Sequence, residues 1–409
     1  MLLAGHQRRC CTRVDATSFR LVPTEWRYVN EGGANVVFRF IGQESSTLKG
    51  YVLRIRKEDV KGATPDEIVE FASNNQPTKS GVEYVQVAKA IPVEKRFLIE
   101  MNEILKDSPR PTHRKANLHL ELPYVMLLPN IAFPSIDQEP PICVELKPKH
   151  GRCYKENDMV HPNKRIACRF CLHQHLKHSQ GKIHSLSRYC PLALFSTDRS
   201  SIASALEALI ATPQNNFRLF SSESTFGWDM AEIRSILLEL FLQVPILQDL
   251  QAMHELDVLD VEGMYNLSQL HDLLTQHNDK EATLGSLLKD LSPSTIHYLI
   301  LITGGQWQDV SLAAWNQLYQ QLYHNFMVAT TYKDCSLLIA IQRTTESSPI
   351  MDVEHLITLS SGDLFKCKVA IVDLDTKHHK SIGHYYKLDQ SIALHVTSDS
   401  KTTCTVSQM

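Results

Sequence analysis

Apolar positions repeat with a period of two in the first third of this chain and in steps of three and four through much of the rest. Residues 26–40 read as strand, turn, strand, the turn being Glu31-Gly-Gly-Ala-Asn35. Over 51–56, Tyr51, Leu53 and Ile55 face one way and Val52, Arg54 and Arg56 the other. The polar stretch 57–81 is expected to hold a short helix and a loop, and 82–93 a strand. Residues 97–106 have helical spacing, which the basic, proline-rich run 108–115 breaks. Residues 118–128 suit a strand leading into a connector. Beyond it, 165–177, 200–212 and 230–244 are helical, Pro245 restarts a helix, and Trp315, Leu318, Leu322 and Phe326 mark another. Residues 336–341 and 368–374 are short apolar strands separated by a polar loop over 343–363. The pattern predicts an α+β fold: a strand-rich lobe over 24–130 and a larger mixed lobe over 131–396. A disordered extension (1–23) and a tail (397–409) are expected to flank them.

At 409 residues the chain exceeds what one compact core accommodates and suits two lobes. Hydrophobic content of 43%, 21% charged residues and a net charge of -3 leave no positive excess, which argues against a nucleic-acid protein driven by bulk charge. No run of eighteen apolar residues occurs, so no membrane span is expected. Arg8 and Arg9 follow a short apolar patch, the reverse of a secretory signal. Ten cysteines are too sparse for a disulfide scaffold and suit a reducing, intracellular setting, cytoplasm or nucleus. A monomer is expected.

Candidate chemistry gathers at separated points. The glycine turn at 31–35 can lay backbone N–H groups against phosphates, although taken alone such a turn is more often a plain hairpin. Arg54 and Arg56 would offer a cation to a nucleotide, or simply a solvated face. In Glu145-Leu-Lys-Pro-Lys149 an extended backbone points Glu145, Lys147 and Lys149 to one side. Lys177 ends a helical run, where it could also answer the helix dipole. Thr212-Pro-Gln-Asn-Asn-Phe-Arg218 presents two amides and a guanidinium, a phosphate clamp or an ordinary loop. Asp334 stands at the mouth of one apolar strand, and Asp373 and Asp375 share a face of the next. Lysines on one side and strand-end carboxylates on the other are what phosphoryl transfer to an anionic acceptor requires. Cys168 and Cys171, with Cys153, Cys190, His150 and His161 nearby, could bind zinc or pack as small apolar residues. Cys10, Cys11 and Cys404 fall in the expected extension and tail and carry no argument.

Together these segments resemble the inositol-pentakisphosphate 2-kinase family, in its animal-type form. The resemblance rests on Glu31-Gly-Gly-Ala-Asn35, the E-x-K-P-K signature at 145–149, Arg169-Phe with His173-Gln and Lys177, and residues 212–220. It continues through 256–263, Lys333-Asp-Cys-Ser336, Asp373 and Tyr385-Tyr-Lys-Leu-Asp389, in the family's order. It implies a two-lobed kinase-like fold with a helical insert that binds inositol phosphate. It implies ATP and magnesium as cofactors, and transfer of phosphate to the 2-hydroxyl of inositol 1,3,4,5,6-pentakisphosphate to give phytate. Gly32, Gly33 and Asn35 would cover the ATP phosphates with Arg54 as strand cation, Asn130 would lie near the adenine and Glu145 near the ribose. Arg114, Lys147, Lys149, Lys177, Asn216, Arg218, Lys377 and Tyr385 would surround the acceptor. Asp334 would be the base and Asp373 the magnesium ligand. Two departures stand out: Ser381 replaces an Arg of plant members, and the cysteine–histidine zinc motif of plant members is absent from 266–290.

An acceptor with five phosphates carries on the order of ten negative charges. Arg114, Lys147, Lys149, Lys177 and Arg218, with Lys377, could answer them through charge-assisted hydrogen bonds. The rival from another class is a non-catalytic module for inositol phosphates or lipid headgroups, which would need neither Asp334, Asp373 nor the glycine turn. A protein kinase is disfavoured because neither His-Arg-Asp nor Asp-Phe-Gly occurs.

Overall fold

The computed structural model describes residues 20–43, 45–58, 60, 62–77, 84–86, 88–111, 116–131, 141–152, 154, 159–221, 228–345, 354–377, 380–395 and 404. Runs rich in β-branched and aromatic residues form strands, as a pleated, half-buried surface favours. The first five are β1 (Trp26–Glu31), β2 (Asn35–Phe40), β3 (Tyr51–Arg56), β4 (Lys89–Pro92) and β5 (Tyr124–Pro129). They pair antiparallel in the order β1-β2-β3-β5-β4. Phe38, Leu53, Ile55 and Leu127 turn to one side and pack on Leu98, Met101 and Leu105 of the helix Lys95–Lys106. The expected alternation of β3 holds, and Val52 and Arg54 face a cleft on the other side.

A second antiparallel sheet follows from β6 (Ile142–Leu146), β7 (Phe217–Ser221), β8 (Ser336–Thr344), β9 (Glu354–Thr358) and β10 (Leu364–Val372), ordered β7-β6-β8-β10-β9. Ile142, Val144 and Leu146 of β6, Leu337, Ile339 and Ile341 of β8, and Val369 and Ile371 of β10 share the largest core. The helices Arg199–Ala211, Met230–Gln243 and Ile246–Glu255 complete that core. Period two then leaves Glu145 and Leu338 on the opposite face, toward the cleft. A third core, of Leu267, Leu299, Trp315 and their neighbours, joins the helices Asp260–Leu274, Pro293–Thr303 and Leu312–Tyr332. The segment ahead of β4 meets the second sheet where Val85 bridges Ile371 and the Ile371 N–H donates to the Tyr84 carbonyl at 2.9 Å.

The chain is therefore α+β, with several local differences from expectation. The helical run at 165–177 is two helices, Pro162–Ile166 and Arg169–Ser179, because Ala167 and Cys168 are extended. The polar loop at 343–363 contains β9, and β8 runs on to Thr344. Asp373 and Asp375 do not share a strand face. β10 stops at Val372, and Asp373 takes the left-handed conformation, φ 64°. Among the described residues, no helix is long and apolar enough to cross a membrane.

The glycine turn is held from behind by a buried ionic triad. Glu31 pairs with Lys57 and accepts from Arg110 Nε and Nη2 at 2.8 and 2.9 Å, while Lys57 Nζ donates to the Gly32 carbonyl at 2.8 Å. Burial pushes the Glu31 carboxyl up, but the Arg110 and Lys57 bonds prevail and hold it down at about 2. A folded-state value below the unfolded one means this stability is present above about 4.5 and lost as pH falls toward 2. Glu31→Gln strands two buried cations and should cost about 3–5 kcal/mol of unfolding free energy. Denaturant titrations at neutral pH and at pH 3 would check both parts. A loss below about 1 kcal/mol would deny the triad its structural role.

Candidate active site

One cavity of about 570 Å³ lies between the cleft faces of the two sheets. It gathers Gly32, Gly33, Asn35, Arg54, Glu145, Lys147, Lys149, Lys177, Asn216, Arg218, Asp334, Asp373 and Lys377, thirteen candidates from both halves of the sequence. Arg114 lies outside the described residues. Asn130 is not among the described lining. Its backbone N–H donates to the Gly50 carbonyl at 2.7 Å, while Pro129 and Ile131 beside it do line the cavity. Tyr385 also stands back from the lining: its hydroxyl donates to the Lys377 carbonyl at 3.1 Å and its ring packs edge-on to Phe326.

On the side of the first sheet, Arg54 Nη2 reaches both oxygens of Asp375, at 2.7 and 2.6 Å, and lies 3.9 Å from Asp373. The Asn35 amide oxygen turns to Arg54 and accepts from Nη2 at 2.8 Å. A Cβ at Gly32 would meet nothing within 4 Å, so protein packing does not demand glycine there.

On the side of the second sheet, Ser336 Oγ lies 3.0 Å from Glu145 Oε1 and 3.3 Å from Asp373 Oδ2, linking the start of β8 to both carboxylates. Lys147 Nζ donates to Asp373 Oδ2 at 3.2 Å and sits 3.8 Å from Glu145. Lys149 Nζ donates to Asp334 Oδ1 at 3.1 Å, and Lys377 reaches Asp334 Oδ2 at 3.3 Å. Burial opposes ionisation of Asp334, yet Lys149 and Lys377 hold its carboxyl down at about 2. Burial likewise opposes Asp373, and Arg54 and Lys147 bring it below the usual carboxylate range.

Lys147 and Lys149 face the cavity with Glu145, as expected, but the backbone gets there by a turn. Lys149 is left-handed, φ 61°, and the Tyr189 hydroxyl fixes the Pro148 carbonyl at 2.7 Å. Such backbone costs roughly 1–2 kcal/mol for a residue with a Cβ. Lys149 and Asp373 are two of five non-glycine residues at positive φ among those described, and both point charges into the cleft. The Lys147 N–H donates to the Asn216 carbonyl at 2.9 Å, which seats Asn216 and Arg218 at the start of β7 beside Glu145. Lys333, next to Asp334, turns away to Asp257 at 2.6 Å.

The positive charge is not fully answered by protein. Burial, then Lys149 and Arg169, lower the pKa of Lys177. Burial, then Lys177, Arg169, Lys149 and Lys182, bring His173 down to about 3. Among the described residues no carboxylate lies within ion-pair distance of Lys177 or Arg218. A cation field of this kind attracts a polyanion.

Sequence reasoning missed Ser336 as the bridge, Tyr189 as the support of Pro148, and the apolar lining of Ile68, Ala72, Val85 and Leu338. Ordinary core residues carry no signal of their own. The matched segments at Arg169, 256–263 and Asp389 prove to be framework. Buried Lys164 pairs with Asp260, with Glu262 at 3.1 Å and with Asp389 at 2.6 Å, and Asp389 also binds Arg169 at 3.1 Å. The zinc expectation changes membership. Cys153 lies outside the described residues, and the compact group is Cys168, Cys171, Cys190 and Cys404, without His150 or His161. Cys404, set aside as part of a tail, is buried.

Two antiparallel sheets enclosing a cleft of paired carboxylates and crowded cations define a kinase that acts on small molecules. The model of the inositol-pentakisphosphate 2-kinase family matches residues 28–391, and the chain belongs to that family. The inositol-pentakisphosphate 2-kinase of Arabidopsis thaliana is 28% identical over 459 residues, 94% of this chain and 96% of that protein. The protein of the same name from Danio rerio is 25% identical over 461 residues, covering 90% and 92%. That of Drosophila melanogaster is 44% identical over 85 residues, 21% of this chain and 14% of its own.

Proposed function

We propose that the chain transfers the γ-phosphoryl of ATP to the 2-hydroxyl of inositol 1,3,4,5,6-pentakisphosphate, giving inositol hexakisphosphate. The observation that carries this reading is the cation field of Lys147, Lys149, Lys177 and Lys377 around Asp334, beside a glycine turn with an open face. A binding module would need the cations but not a carboxylate placed among them.

In this reading residues 24–130 hold the nucleotide and 131–396 the acceptor. Gly32, Gly33 and Asn35 approach the ATP phosphates, Arg54 neutralises them, and Glu145 lies toward the ribose. The apolar lining of Ile68, Val85 and Leu338 suits the adenine. Asn130 lies toward the adenine, between Pro129 and Ile131 of the lining. Lys147, Lys149, Lys177, Asn216, Arg218 and Lys377 bind the acceptor, with Tyr385 steadying Lys377 through its carbonyl. Catalysis is positioning plus charge neutralisation, with Asp334 taking the hydroxyl proton.

Magnesium fits the hard oxygen donors that converge here, Asp373 with Ser336 and Glu145 beside it and Asp375 behind. Bound there it would neutralise charge on the transferred phosphate. The residues' own part is to hold carboxylates ionised and within reach of the nucleotide site.

ATP turnover across inositol phosphates of graded phosphate number, with product regiochemistry determined, tests the reading. Lys147→Ala and Lys149→Ala refine it. Each should raise the acceptor KM more than the KM for ATP, by roughly ten- to a hundredfold for one charged hydrogen bond. Acceptors with fewer phosphates should suffer less. An unchanged acceptor KM with a raised KM for ATP would move the 145–149 segment to the nucleotide side.

A further inference from the structure

We propose, on the reading of Asp334 as the base, that Asp257 is the positioning residue of that base. Asp257 ties the turn carrying Asp334 and the turn carrying Lys149 to one buried point. It follows the helix Ile246–Glu255, and its N–H donates back to the His254 carbonyl at 3.3 Å. Its buried carboxylate accepts from Lys333 Nζ at 2.6 Å, and Lys333 adjoins Asp334. Its carbonyl accepts from Arg152 Nη1 at 2.7 Å, and Arg152 stands three residues beyond Lys149. Lys149 and Asp334 then meet in the cavity at 3.1 Å. The contacts close a circuit, with one link in the cavity and two behind its wall.

Asp334 needs such a hold. Its side chain is 56% exposed, and its partners are Lys149 and Lys377, the lysines that the acceptor's phosphates would draw away. What remains is backbone: the Asp334 N–H donates to the Thr331 carbonyl at 3.2 Å, at the end of the helix Leu312–Tyr332. Helix ends fray readily. The Lys333–Asp257 bond pins this one from the side chain, and it sets an ammonium at the helix's negative end.

Nothing else nearby can replace Asp257. Among the described residues, no other carboxylate lies within ion-pair distance of Lys333. Asp260, the other buried Asp of this segment, is taken by Lys164. His150 and His254 pack edge-on beside it, ring centroids 5.4 Å apart. Burial, then Lys333, hold His150 well below the usual imidazole range and bring His254 down to about 3, so both stand neutral. Without its carboxylate the ammonium must leave this wall for solvent or the cavity, and it carries Asp334 with it. A displacement of about 1 Å at a reacting group can cost roughly a hundredfold in rate.

The test is steady-state kinetics with kcat taken per folded site, counted by ATP binding. Asp257→Asn should lower kcat roughly ten- to a hundredfold. The KM for ATP should stay within about threefold of the parent, since none of these contacts lies on the nucleotide side. Lys333→Met guards against a variant that fails to fold. Burial pushes the Asp257 carboxyl up, so without the ammonium it takes a proton and strands no charge. That variant should keep a Tm near the parent's and lose kcat to the same extent. In an Asp334→Asn background either substitution should cost less than about threefold more, because a residue acting through Asp334 has no further effect there. A folded Lys333→Met with kcat within about threefold of the parent would overturn the proposal. So would a further loss of about tenfold in the Asp334→Asn background, or a KM for ATP that rises in step with the loss of kcat. Parental kcat in Asp334→Asn alone would overturn the role of Asp334 itself, and that of Asp257 with it.

Discussion

Asp334→Asn is expected to lower kcat by roughly 10²–10⁴-fold, the usual contribution of a general base, while both KM values stay near those of the parent. Removing the charge releases Lys149 and Lys377, which the carboxylate binds at 3.1 and 3.3 Å, so the acceptor KM should stay level or fall. Without substrate those lysines hold the Asp334 carboxyl at about 2, too acidic for an efficient base. The proposed acceptor offers its phosphates to the same lysines. As they turn to the ligand, the carboxylate loses what depressed it and becomes more basic. The sign of the pH dependence follows. Activity needs the ionised form and falls as pH drops through the pKa. The acid limb of kcat/KM, reporting the free enzyme, should therefore lie at lower pH than that of kcat, reporting the complex. Steady-state kinetics across pH would show it. More than about a tenth of parental kcat in Asp334→Asn would remove this residue from the base role.

Much of this site was legible because charge in an apolar frame is conspicuous. Arg54 stood out of an alternating strand and Glu145 with its lysines beside a proline, and both face the cleft. Asp334 was found because a strand entrance is marked by the apolar run behind it, Leu337 to Ile341. What stayed hidden depends on distant partners. Nothing near Tyr189 announces that its hydroxyl meets the carbonyl of Pro148, forty-one residues away. Left-handed backbone at Lys149 and Asp373 is equally silent, since neither is glycine. The short strands β6, β7 and β9 carry too few residues for periodicity to separate them from loops. Several segments that carry the family resemblance are framework: Asp389 and Asp260 serve a buried lysine and not the cavity. Cys404 shows the limit in its plainest form, for a lone thiol near the end of a chain gains meaning only when three others close on it.

Asp373→Asn should abolish magnesium-dependent transfer, with a loss beyond about a hundredfold that added magnesium does not restore. Asparagine is the informative replacement. It tolerates the left-handed backbone at φ 64°, so the geometry survives and only the charge is removed. Asp375 is the competing ligand, and the ion pairs separate the two. Both Asp375 oxygens are taken by Arg54 at 2.7 and 2.6 Å, whereas Arg54 stands 3.9 Å from Asp373. The contacts of Asp373 are with Lys147 and Ser336 on the cleft side, and its side chain is 46% exposed against 25% for Asp375. A half-open carboxylate can accept a cation with less disruption than one clamped by a guanidinium. Asp375→Asn should therefore act mainly through Arg54, raising the KM for ATP and retaining measurable kcat at saturating magnesium. Magnesium titrations of the two variants at fixed ATP decide between them. An active Asp373→Asn beside a dead Asp375→Asn would exchange the roles, with Arg54 then the group that must move aside.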